Sequence, residues 1–149
     1  MTINQVIGNL SLMLELPLEV RDRVTIVIRD ASESVQLQKG AQLFALGETV
    51  TDYAYIVVQG RVQIDGPHGF EKTLQAPVIL GEMKQFQFEG QSKRMATVRA
   101  LEPIEVLRFR WKDLYAALSA ALDPEGLERF NEALEHHAWM HYLDLQDEL

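Results

Sequence analysis

Cysteine is absent from the 149 residues. That rules out a disulfide scaffold, a thiolate metal site and a cysteine nucleophile, and it suits a reducing compartment. No apolar run is long enough to cross a bilayer, and the first residues lack the basic-then-apolar order of a secretion signal. A cytoplasmic protein is therefore expected, with no membrane contact. Basic residues are scarce as well: 14 Lys and Arg stand against 22 Asp and Glu, for a net charge of −8. Between 124 and 149 there are seven acids (Glu125, Glu128, Glu132, Glu135, Asp144, Asp147, Glu148) and a single base, Arg129. Such a segment repels phosphates, and no basic recognition helix occurs elsewhere, so direct nucleic-acid binding is not expected. Histidine is nearly missing from 33–110, where only His68 occurs, inside a Gly-Pro-His-Gly loop. A barrel metalloenzyme needs clustered His and carboxylate ligands, and none are visible there. His137 and His141 lie four residues apart near the C-terminus, a spacing that can hold a metal on a helix, but no third ligand accompanies them. With no nucleophile–base pair and no glycine-rich triphosphate loop, the expectation is a protein that is not an enzyme and carries no metal.

What is present falls into three parts, and the length suits one domain, 1–149. In 1–32, Ile3, Val6, Ile7 and Leu10 recur at helical spacing. Pro17 then opens a second run, 18–30, in which Val20, Val24, Val27 and Ile28 share a helical face. Its β-branched residues leave a strand open as the alternative. In 33–110 the pattern changes to short alternating strands with Gly and Pro turns. The strands are read around Val35–Leu37, Leu43–Phe44, Tyr53–Val58, Val62–Ile64, Glu71–Leu74, Val78–Leu80, Met95–Ala100 and Ile104–Phe109. Gly66-Pro67-His68-Gly69 makes a hairpin loop. Many short strands of this kind point to a sandwich or barrel. In 111–149 helix returns: one over Trp111–Leu122, then a second introduced by Asp123 as N-cap and Pro124 in the first turn. Its stripe is Leu127, Phe130, Leu134 and Ala138. The overall class is mainly β, a jelly-roll-like β-roll (double-stranded β-helix) with N- and C-terminal helices.

The chemistry concentrates between Gly81 and Ala100. A glycine lets backbone N–H groups approach a ligand, a glutamate accepts from sugar hydroxyls, and an arginine forks onto a phosphate. Those three types stand at Gly81-Glu82-Met83 and Arg94-Met95-Ala96. Read without any relative, Arg94 is either an anion contact or a structural cation paired with Glu82, Glu89 or Glu102.

Several motifs occur in order: Lys39-Gly40-Ala41-Gln42-Leu43-Phe44, Gly47-Glu48, Tyr55-Ile56-Val57-Val58-Gln59-Gly60-Arg61-Val62, Gly81-Glu82-Met83 and Arg94-x-Ala96-x-Val98-x-Ala100. Together they resemble the cyclic nucleotide-binding domain of the catabolite activator and kinase regulatory subunit type, over roughly 34–122. The resemblance implies a β-roll and a phosphate-binding cassette. In it Glu82 would accept from the ribose 2′-OH, Arg94 would pair with the cyclic phosphate, and backbone N–H groups from Gly81 to Met83 would complete the cradle. Ala96 would leave room beside the ligand, and Leu74, Met83 and Val98 would line the sugar and base. Three features depart from the family pattern. The connection from Glu82 to Arg94 is somewhat longer, its composition over 84–93 is unlike the usual small, apolar opening, and Met95 stands where a small or hydroxyl residue is usual. The missing hydroxyl argues against a strong preference for guanine. The resulting expectation is a non-catalytic sensor that binds a cyclic mononucleotide, cAMP rather than cGMP. It would signal through its C-terminal helix to a protein partner or to a second copy of itself. The alternative is a ligand-free β-roll that serves as an interaction or dimerisation module.

Overall fold

The structure is a computed structural model that describes residues 2–49, 51–81 and 93–147, the last seven of these through their backbone alone. Helix α1 (Ile3–Gly8) starts at a capping box: Gln5 N donates to Thr2 Oγ1 and Thr2 N donates to Gln5 Oε1. A tight turn over Ser11–Glu15 leads to α2 (Leu18–Ala31). Pro17 lies just before the first helical residue rather than inside the first turn. The open choice for this run resolves as helix. Val24, Thr25 and Ile28, at helical spacing, are all buried, and that burial outweighs the poor helix propensity of β-branched residues.

Eight strands follow among the described residues, in two antiparallel four-stranded sheets. They are β1 (Glu33–Leu37), β2 (Gln42–Phe44), β3 (Tyr53–Gln59), β4 (Arg61–Asp65), β5 (Glu71–Gln75), β6 (Val78–Leu80), β7 (Thr97–Ala100) and β8 (Ile104–Arg110). One sheet runs β1-β8-β3-β6 and the other β2-β7-β4-β5. The alternation along β3 shows why both faces of the first sheet are covered. Tyr55 and Val57 point between the sheets, while Ala54 and Ile56 point toward the helices. The inter-sheet core holds Phe44, Val57, Val62, Leu80, Val98 and Val106. A second core joins Ile56 and Phe109 to α3 (Trp111–Ala121) and α4 (Pro124–Asp147) through Trp111, Leu118, Phe130 and Leu134. Each fully buried aliphatic or aromatic side chain of this kind contributes about 1.5–3 kcal/mol.

One boundary differs from the sequence reading: β7 starts at Thr97, not at Met95. Residues before it are diverted because Arg94 N donates to Glu48 O (2.8 Å) and Gly47 N donates to Arg94 O (2.9 Å). The hydroxyl of Thr97 also accepts from Leu46 N at 2.9 Å. The 46–48 turn thus holds Arg94 and Thr97 on either side of the bend at Met95 and Ala96. At the other end, Asp123 caps α4 as read, with its Oδ1 accepting from Gly126 N at 2.7 Å.

Candidate functional site

Gly81 closes β6 with φ +93°, where an L side chain is strained. Space is short there too. A Cβ on Gly81 would stand 3.0 Å from Tyr53 O, 3.1 Å from Phe44 Cζ and 3.2 Å from Ala54 Cα. The turn is therefore pressed against β3 and against the Phe44 ring, which only glycine permits. Its carbonyl accepts from Trp111 Nε1 at 3.1 Å.

Arg94 reaches the same ring over its face. Its guanidinium carbon lies 3.8 Å from the Phe44 centroid, and Nη2 approaches Thr51 Oγ1 at 3.4 Å and Thr51 O at 3.5 Å. The residue is 9% exposed, an uncommon position for a cation. A flat guanidinium on an aromatic face is a favourable pairing that strengthens as water is removed. Phe44 is fixed in turn by an edge-on contact with Tyr55, centroids 5.4 Å apart. Two of the features that sequence reasoning singled out thus meet at one side chain, Arg94 over the face of Phe44 and Gly81 at its edge.

The remaining assignments sort plainly. Glu82 and Met83 lie outside the described residues, as does Glu89. Met95 and Ala96 are half-buried in the bend before β7, and Val98 is buried between the sheets. Leu74 is half-buried on β5. Glu102, one candidate structural partner for Arg94, is instead held by Arg61 at 3.1 Å across the β-roll surface. Arg99 lies on Asp65 (3.3 Å), and Arg108 donates to Glu33, which raises its pKa. Lys93 is exposed and its Nζ stands 3.5 Å from Thr49 Oγ1. His68 is exposed in its loop, and His136 Nδ1 lies 2.9 Å from Glu15 Oε1. Among the described residues no three His, Asp or Glu side chains converge on a metal position, and no helix is long and apolar enough to cross a membrane. An open groove of about 850 Å³ lies between α1 and α2, lined by Asn4, Arg21 and Asp22 among others. Neither Gly81 nor any of Arg94, Met95 and Ala96 lines it.

Sequence reading did not single out Phe44, Thr51, Asp52 or Trp111 as site residues. Asp52 positions α3: its carbonyl accepts from Trp111 N (3.1 Å) and its Oδ2 from Lys112 N (3.2 Å). A carboxylate at a helix N-terminus is favourable, but this one comes from some sixty positions earlier, where local spacing gives no signal.

Comparison with known proteins agrees with this fold. The crystal structure of the sensor domain of the transcriptional regulator DNR from Pseudomonas aeruginosa is similar with a TM-score of 0.65 at 20% identity, covering 93% of this chain and 91% of that one. The N-terminal domain of a transcriptional regulator from Streptomyces coelicolor A3(2) gives 0.65 at 26% identity, covering 91% and 94%. The catabolite activator protein of Thermus thermophilus gives 0.60 at 21% identity, covering 84% of this chain and 58% of its own length. No curated protein sequence matches significantly. The cyclic nucleotide-binding domain family matches residues 34–121, more than half of the sequence, and the chain belongs to that family.

Proposed function

We propose that this chain is a non-catalytic sensor of a cyclic mononucleotide, cAMP in preference to cGMP, with Arg94 pairing with the cyclic phosphate and the backbone at Gly81, Glu82 and Met83 completing the cradle. Glu82 accepts from the ribose, and Met95 and Ala96 flank the phosphate. The observation that carries the reading is the burial of the Arg94 guanidinium on Phe44, next to the Gly81 turn. A cyclic phosphodiester loses water when it binds, and a cation already removed from water offsets that cost with charge-assisted hydrogen bonds. Met95 brings no hydroxyl for guanine, which favours adenine. The protein acts in the cytoplasm, through a protein partner rather than on nucleic acid or membrane.

Titration calorimetry and thermal shift with cAMP and cGMP test this. Heat with both and tighter binding of cAMP are expected. No heat and no shift at millimolar nucleotide would sink the reading and leave a ligand-free interaction module.

The proposed output is α4, as a protein or homodimer contact. Its buried stripe is Phe130, Ala133, Leu134 and Ala138, while Trp139 and Met140 are 42% and 52% exposed. Large exposed apolar side chains on an amphipathic helix favour a partner. Deleting α4 would strip Phe130 and Leu134 from the core, so point changes are the cleaner probe. Trp139→Glu with Met140→Glu is expected to lower the light-scattering mass from dimer to monomer while the chain stays folded, and to abolish the concentration dependence of its melting temperature. A monomeric mass for the parent chain would remove the homodimer.

A further inference from the structure

Phe44 is a wall shared by two neighbours. Arg94 lies on one face at 3.8 Å, and the ring edge abuts Gly81 so closely that a Cβ there would stand 3.1 Å from Cζ. The Gly81 carbonyl is tied to α3 by the Trp111 indole N–H at 3.1 Å. Trp111 is 1% exposed and is the first residue of α3. Its ring leans on Tyr115 with centroids 5.9 Å apart, and Tyr115 meets Phe130 of α4 edge-on at 6.3 Å. The Tyr115 hydroxyl then donates to Asn131 Oδ1, also on α4, at 2.9 Å. A set of contacts without a break therefore runs from the arginine to the last helix. Interiors packed this densely transmit a shift because no neighbour has room to absorb it.

Each link has a directional part as well as packing. The guanidinium stands over the face of Phe44, and the indole has a single donor with one carbonyl to meet. Burial pushes the Tyr115 hydroxyl up to about 12, so it remains a donor to Asn131 through the neutral range. An anion that draws Arg94 off Phe44 removes a contact from the ring that braces Gly81. The Gly81 carbonyl can then follow only by turning or loosening the indole.

We infer that displacement of the Arg94 guanidinium is communicated to α4 through Phe44, Gly81, Trp111 and Tyr115, with the Trp111 N–H as the link that joins the β-roll to the helices. This rests on the cyclic nucleotide reading only for the identity of what moves Arg94.

The test uses the full chain and amide and indole N–H resonances. The chain has two tryptophans, so a Trp139→Phe variant assigns the Trp111 indole peak by elimination. Arg94→Lys, which keeps the charge and loses the flat fork, is expected to move the Trp111 indole peak and the amide peaks of Phe130 and Asn131. In a Trp111→Phe background, which keeps an aromatic ring and loses the N–H, the same change is expected to leave Phe130 and Asn131 unmoved. Saturating cAMP is expected to move the same peaks in the parent chain and to leave α4 unmoved in Trp111→Phe. If Trp111→Phe does not fold, Tyr115→Phe breaks the hydroxyl link to Asn131 and is expected to shrink the α4 response. Unmoved indole and α4 peaks in Arg94→Lys would overturn the inference, as would an undiminished α4 response in the background variant. If cAMP gives no heat while Arg94→Lys still moves α4, the coupling stands and the nucleotide reading falls.

Discussion

Arg94→Ala is expected to weaken cyclic nucleotide binding by about 2–5 kcal/mol, roughly 30- to 5,000-fold. The size follows from what is left behind. A phosphodiester taken from water without its cation keeps the desolvation cost and loses the charge-assisted bonds that offset it. Arg94→Lys separates two contributions. Lysine restores a point charge but neither the planar group over Phe44 nor the Nη2 that approaches Thr51. An intermediate loss for lysine is therefore expected, and calorimetry at fixed ionic strength measures both variants. Because the guanidinium is buried rather than exposed, the loss should depend little on salt, unlike that of a surface charge. A near-neutral Arg94→Ala would mean that the phosphate sits elsewhere. Loss of folding in Arg94→Ala is checked by its melting curve, and Arg94→Lys then carries the measurement.

Much of this arrangement is legible in the sequence. Period-two alternation between Gly and Pro turns is legible in strands such as β4 and β8, where burial of one face or both imposes the pattern, whereas β5 buries no residue fully and is bounded only by its turns. Asp123-Pro124 marked the start of α4 for a local reason, a cap three residues from the amide it receives. The second N-terminal run was ambiguous because propensity and periodicity disagreed. Burial of Val24, Thr25 and Ile28 decided it, and burial depends on partners far along the chain. The start of β7 was misplaced for the same kind of reason. The groups that hold Arg94 come from Gly47 and Glu48, more than forty positions away. At the site, Gly81 and Arg94 were visible as residue types suited to an anion. The side chain between them was not, since Phe44 reads in sequence as one more core aromatic. Trp111 was hidden likewise: its N–H has a partner only because β6 ends beneath α3.

Gly81→Ala is expected to destabilise the fold by about 2–5 kcal/mol, the largest stability effect of a single methyl group at the site. Two costs add. A left-handed backbone costs an alanine about 1–2 kcal/mol. Overpacking costs about 1–3 kcal/mol more, since the new Cβ faces main-chain atoms of Tyr53 and Ala54 that cannot rotate aside. Gly69 supplies the control. Its φ is +80°, and nothing lies within 4 Å of a Cβ placed there, so Gly69→Ala bears the backbone cost alone. Urea titrations with equal slopes should therefore place Gly81→Ala below Gly69→Ala by the packing cost. Equal midpoints would show that the turn is not pressed against β3 and Phe44. The same pair bears on the site. Of the three atoms nearest the new methyl, the one free to yield is the tip of the Phe44 ring, on which Arg94 lies. Gly81→Ala should therefore weaken cAMP binding even at temperatures where the variant is fully folded, and Gly69→Ala should not.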